Sequence, residues 1–313
     1  MVGVFRRSLS FPNKLPNRPP KPPAISQHTR SISLPSRSHP LVSQLRDSIS
    51  DLHRWSSSSP LSNNHRSSDW LCTSLSRLRS IHESIDDVLQ LPQTLQTLSQ
   101  HRHLVEKLLE DLLRFVVAYD IFRTSVMTLK EEQAAAQVAV RKRDQRGVAS
   151  YLRLMRRTSR DMRRLASTVR PIEKNYGADT QRPTVGPDAE LVGAILDGVE
   201  VTVKVSVALF GGISASLTPR TAASSSWMRF KVKRENKPLG GAVYESFDEI
   251  REVNAEIERL LRGLRKMKDE EVRTAMRRMQ ELDGCIGGIE RESERVFRSL
   301  ISTRVSLLNT LAQ

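Results

Sequence analysis

The sequence predicts an all-α protein: an elongated multi-helix bundle of long antiparallel and coiled-coil helices behind a disordered N-terminal tail. Three observations predict it. Aromatic residues make up only 5% of the chain, too few for sheets that depend on them. Glycine and proline gather in a few places and leave long stretches uninterrupted. Within those stretches apolar residues recur at three- and four-residue steps, the period of one helix face. The expected division is a tail at 1–38 and one helical domain at 39–313, with helices in 39–174, an apolar helix at 188–217 and a coiled-coil hairpin at 244–313.

Residues 1–38 are rich in Ser, Pro and Arg, and the run PNKLPNRPPKPP has no face to bury. One pattern occurs there twice: Arg7-Ser8-Leu9-Ser10-Phe11-Pro12 and Arg30-Ser31-Ile32-Ser33-Leu34-Pro35. An arginine three residues before a serine suits a basophilic kinase. The whole pattern resembles the phosphopeptide ligand of 14-3-3 proteins, with Ser10 and Ser33 as the phosphorylated positions. Their spacing in a flexible tail lets both engage one dimer. A tail of this composition also produces such matches by chance.

From His39 the pattern turns helical. Leu41, Val42, Leu45, Ile49 and Leu52 share one face, and a break follows at Ser56–Ser59, Pro60 and Asn63-Asn64. A second helix starts at Ser68 or Asp69 as cap, carries Leu71, Leu75, Leu78, Ile81, Ile85 and Leu89, and stops at Pro92. His82 shares that face and reads as a core histidine with a hydrogen-bond partner. About Arg102 to Arg143, Leu104, Val105, Leu108, Leu109, Leu112, Val116, Tyr119, Ile121, Phe122 and Val126 make a helix apolar nearly all round, the expected central helix. Asp120 sits at the edge of its apolar face. Arg304 sits within the apolar face expected of the terminal helix, formed by Phe297, Leu300, Ile301, Val305, Leu308 and Leu311. The two are expected to pair, because a buried unpaired charge is costly; the alternative is that Arg304 extends to solvent.

Gly147 marks a turn, after which Val148, Leu152, Met155, Ser159, Met162, Ala166 and Val169 repeat at helical spacing. Arg153, Arg156, Arg157, Arg160, Arg163 and Arg164 occupy the opposite arc. Such a basic amphipathic helix can lie on an anionic membrane, dock an acidic protein or fit a calmodulin-like groove, and it can equally be a solvated outer face. The +15 net charge is concentrated accordingly: residues 1–46 hold eight Lys/Arg and no acid, and residues 141–174 hold twelve against Asp144, Asp161 and Glu173. No stacking aromatics interleave these arginines, which argues against nucleic acid.

Pro171 to Pro187 reads as a linker. Leu191 to Leu217 is the most apolar stretch, but Asp197, Glu200 and Lys204 favour a buried helix over a membrane span. Val199 to Val207 alternates like a strand, yet no partner strand is in prospect, so helix is the expectation. A loop over 218–243 leads to Ile250, Val253, Ile257, Leu260, Leu264 and Met267 at heptad spacing. Asp283-Gly284 and Gly287-Gly288 are expected to bend the chain before a final helix, Ile289 to Gln313.

Chemistry-bearing motifs are missing. Gly211-Gly212 lacks the strand before and the Lys-Ser/Thr after that a phosphate loop needs. Two cysteines, Cys72 and Cys285, make neither a disulfide framework nor a metal cluster. The histidines are scattered and Asp86-Asp87 point apart, so no catalytic, cofactor or metal site is expected, and the cytoplasm or a membrane surface is the expected location.

Three segments carry a resemblance: HTRSISLPSRSHPLVSQL (His28 to Leu45), SIDDVLQLPQTLQTLSQ (Ser84 to Gln100) and the terminal RVFRSLISTRVSLLNTLAQ. They are similar to the land-plant family known as domain of unknown function 241, the BYPASS-like proteins, over about residues 28–313. The resemblance implies a helical fold, a plant source and an association with root and shoot development. It carries no catalytic residues.

Overall fold

The computed structural model describes residues 39–57, 65–174, 176, 187–218, 246–266 and 268–312. Among them are α1 (Pro40–Ser57), α2 (Ser68–Leu89), α3 (Pro92–Gln100), α4 (Arg102–Arg141), α5 (Gln145–Lys174), α6 (Pro187–Leu217), α7 (Asp248–Gly263) and α8 (Asp269–Ala312). The protein is all-α as expected. Its extended pairing among the described residues is a two-residue parallel contact between β1 (His65–Arg66) and β2 (Ser246–Phe247), too short to form a layer. Ser10 and Ser33 lie outside the described residues.

Local chemistry sets most boundaries. Ser67 caps α2, its Oγ accepting from the Trp70 amide at 3.3 Å. Ser68, one of the two caps expected, is inside the helix, where its amide donates to Glu249 at 3.0 Å. Pro92 opens α3 at a position where a missing N–H costs nothing. The α4–α5 turn is carried by Arg143, left-handed at φ 56°, with Asp144 Oδ1 accepting from the Arg146 amide at 2.9 Å. The turn therefore precedes Gly147, which lies in the first turn of α5. A Cβ there would stand 2.6 Å from that of Ala139, so Gly147 lets the two helices meet.

The helix at the centre is α6, and the expectation that α4 would hold that place is corrected. α6 packs against α1, α2, α3, α5 and α7, whereas α4 packs mainly against α3, α5 and α8. Cover on most sides explains the strand-like alternation at 199–207: Val201 and Thr202 are both buried, and the arc of Asp197, Glu200 and Lys204 is the side left toward solvent. Phe210, Tyr119 and Phe122 form an aromatic cluster between α6 and α4, with centroids 5.2–6.1 Å apart. Gly198 lets α2 close on α6, because a Cβ would meet Ile85 Cδ1 at 2.7 Å.

α8 also departs from expectation. It is one continuous helix through Gly284, Gly287 and Gly288, with no break before a final segment. Gly288 serves close approach instead: its Cβ would come 3.0 Å from Cys72 Sγ on α2. α7 and the beginning of α8 form a helical hairpin, in which buried Glu256 joins Arg259 and Arg278, the latter at 3.3 Å. Most of α8 then packs on α2 and α4. This placement rotates its terminal face. Val296, Leu300, Thr303 and Leu307 are buried, while Ile301, Val305 and Leu308 of the expected core face are exposed.

Candidate anionic-partner site on α5

The seven positions at helical spacing on α5 from Val148 to Val169 are all buried, joined by Tyr151, Leu165 and Ile172. Polar members of the arc find partners: Ser159 Oγ donates to the Ser214 carbonyl of α6 at 2.9 Å, and Tyr151 donates to Gln133 of α4, whose Nε2 donates to the Met279 carbonyl of α8 at 2.8 Å. These contacts fix α5 about its own axis. Arg153, Arg156, Arg157, Arg160, Arg163 and Arg164 consequently all point outward and are exposed.

The negative charge beside this arc is sparse. Asp161 pairs with Arg164 at 3.4 Å and with Arg157 at 3.9 Å, and Glu258 of α7 lies 3.9 Å from Arg156. Arg153, Arg160 and Arg163 have no ion pair among the described residues. Arg160, Arg163, Arg164, Ser167 and Thr168 line an open groove of about 480 Å³. Guanidinium groups present forked N–H donors and do not release protons, so such a groove can hold carboxylates or phosphoryl oxygens but cannot perform acid–base chemistry. α5 carries none of the exposed large apolar side chains.

The expected pair of Asp120 with Arg304 is corrected. Asp120 pairs with Arg123, three residues on along the same helix face, at 2.8 Å. Arg123 also reaches Glu294 of α8 at 2.8 Å and lies over the Phe297 ring at 4.7 Å. The Arg123 guanidinium holds the Glu294 carboxyl below the usual carboxylate range. Arg304 is half-buried, and its Nε is buried without a hydrogen-bond partner.

His82 is fully buried where α2 meets α6, its Nε2 3.1 Å from Thr202 Oγ1. The Thr202 hydroxyl donates to the Gly198 carbonyl at 2.7 Å, so the ring is the donor in the contact and Nδ1 is left as an acceptor without a partner. Burial pushes the ring pKa down to about 4, and His82 stays neutral. Beside it, Arg79, Glu83, Asp86, Arg295, Arg298 and Ser302 line a cleft of about 330 Å³ between α2 and α8. Sequence reasoning did not assemble this cleft, because its two sides lie at opposite ends of the chain and neither carries a local motif.

Cys72 and Cys285 are free, and burial raises the Cys72 pKa to about 11, which keeps it a thiol. Among the described residues no group of three or more His, Cys, Asp or Glu is placed to hold a metal ion. No described helix is long and apolar enough to cross a membrane.

The family described as Protein BPS1 matches residues 74–310, a span from within α2 almost to the end of α8. No curated protein and no solved structure matches the chain. With well over half of its length covered and a helical fold among the described residues, the chain belongs to the BPS1 family, the BYPASS-like plant proteins.

Proposed function

We propose that this chain is a non-enzymatic helical interaction protein of plant root and shoot development that docks an acidic protein on the arginine arc of α5. The observation carrying this reading is the set of three exposed arginines, Arg153, Arg160 and Arg163, without an ion pair among the described residues. A fold that only needs solubility gains little from like charges at three- and four-residue spacing, since they repel one another. A partner bearing carboxylates relieves that repulsion and gains steering from the field.

The burial of the apolar arc separates this reading from the peripheral-membrane alternative. Interfacial helices bind bilayers by inserting apolar side chains, and those of α5 are already used against α4 and α6. A calmodulin-like groove demands the same side chains. The tail adds regulation: phosphorylation of Ser10 and Ser33 by a basophilic kinase creates two ligands for 14-3-3 proteins.

Binding of the full chain to a polyglutamate peptide and to phosphatidylserine vesicles, across a salt series, tests the reading. Arg153→Ser/Arg160→Ser/Arg163→Ser is expected to weaken peptide binding about tenfold at low salt, with unchanged helix content. Equal peptide binding by the variant overturns the proposal, and vesicle binding without peptide binding favours the membrane alternative. For the tail, equal 14-3-3 recovery by wild type and by Ser10→Ala/Ser33→Ala overturns the phosphorylation element.

A further inference from the structure

Every exposed large apolar side chain among the described residues lies on α4 or α8. Leu113, Val117 and Ile121 follow one another at four-residue steps on α4; Ile301, Val305 and Leu308 do so at four and three on α8. Val117 is 49% exposed and Val305 48%, values for the rim of a core left uncovered. The two rows run side by side. Arg123–Glu294 at 2.8 Å and Lys130–Glu290 at 2.5 Å set α4 and α8 antiparallel. Ten residues back from Arg123 is Leu113, and ten on from Glu294 is Arg304, so the rows stand level.

We propose that this face is a homodimer interface, covered by a second copy of the chain about a two-fold axis. Two antiparallel helices with a shared apolar seam are half of a four-helix arrangement, and an identical pair completes it. An interface between identical faces requires each face to bear both members of every charge pair. This one does. α8 from Arg295 to its end carries Arg295, Arg298 and Arg304 and no carboxylate, and Arg304 makes no ion pair among the described residues. Glu110 on α4 lies within a turn of the level of Arg304; its side chain is 62% exposed and pairs with Arg114 of its own helix. A two-fold axis near Leu113 brings Arg304 of each copy to Glu110 of the other, while the apolar rows cover one another. A wholly different partner would need no such balance on a single face.

Sedimentation equilibrium of the full chain tests the proposal. The expected result is a reversible dimer whose dissociation constant rises about tenfold or more in Val117→Asp and in Val305→Asp. These side chains are exposed in the single chain, so the helical circular dichroism of the variants should match wild type; Val305→Thr, which keeps the shape, provides the same readout if an aspartate disturbs folding. Arg304→Glu and Glu110→Arg should each weaken the dimer, and the double variant should recover it. A wild-type chain that stays monomeric through the micromolar range overturns the proposal. So does a dimer indifferent to both apolar substitutions, which would place the interface elsewhere.

Discussion

α4 and α6 are both long and rich in apolar residues, yet α6 is covered on all but the narrow arc of Asp197, Glu200 and Lys204, and α4 is half open. α6 is ringed by α1, α2, α3, α5 and α7, so that even the polar Thr202, Ser206, Ser214 and Ser216 are buried. Each polar group there answers a partner: Thr202 the ring of His82, Ser206 the hydroxyl of Tyr119 at 3.0 Å, Ser216 the Phe247 amide at 2.6 Å. α4 has fewer neighbours, and Leu113, Val117 and Ile121 face outward. Apolar content states how much cover a helix calls for. It does not state whether cover comes from the same chain.

Substitutions on the two helices test that contrast. The largest effect belongs to α6: Phe210→Ala removes a fully buried ring from the cluster with Tyr119 and Phe122 and should cost about 3–5 kcal/mol in urea unfolding. Val117→Ala on α4, measured at a concentration where the chain is monomeric, should stay within about 0.5 kcal/mol. Similar losses for the two would break the comparison.

Next in size is the pH response of the α2–α6 contact. His82 has its folded pKa held at about 4 against 6.5. The unfolded chain therefore takes up the proton first, and stability falls as pH drops from about 6.5 toward 4, by about 3 kcal/mol in full. Carboxylates titrate near the lower limit as well, so the measurement is the difference between wild type and His82→Gln across this window. The variant should show the shallower loss.

A smaller loss than either buried site gives belongs to the α4–α8 seam. Arg123→Ala breaks the bridge to Asp120 and Glu294 and the contact with Phe297, and because these groups are part-exposed the loss should be about 1 kcal/mol or less. Raising salt should weaken the wild-type seam and leave the Arg123→Ala chain less affected.

Much of the fold was legible locally. The faces expected for α2 and α5 are buried position by position, because a helix that packs on one side needs only a 3.6-residue period to declare it. The arginine arc follows from the same geometry, since fixing the buried side fixes the opposite one. The α2–α8 cleft and the bridge from Arg123 to Glu294 were not legible, because each joins residues from distant parts of the chain. The expected pair of Asp120 with Arg304 rests on one charge at the edge of an apolar face and another within one. Arg123, three residues from Asp120, was the nearer partner, and a surface pair at that spacing needs no tertiary contact.

By itself the sequence determined the helical class, the positions of α1, α2, α4, α5 and α6, the buried arcs of α1, α2 and α5, and the concentration of positive charge on α5. The tertiary structure alone decided that α6 and not α4 is enclosed, that α8 passes unbroken through its glycines, and that Ile301, Val305 and Leu308 face outward with Leu113 and Val117. The physical reason is one of range. Periodicity and capping act within a few turns of one helix, whereas burial of an entire face depends on how many other helices the chain brings to it.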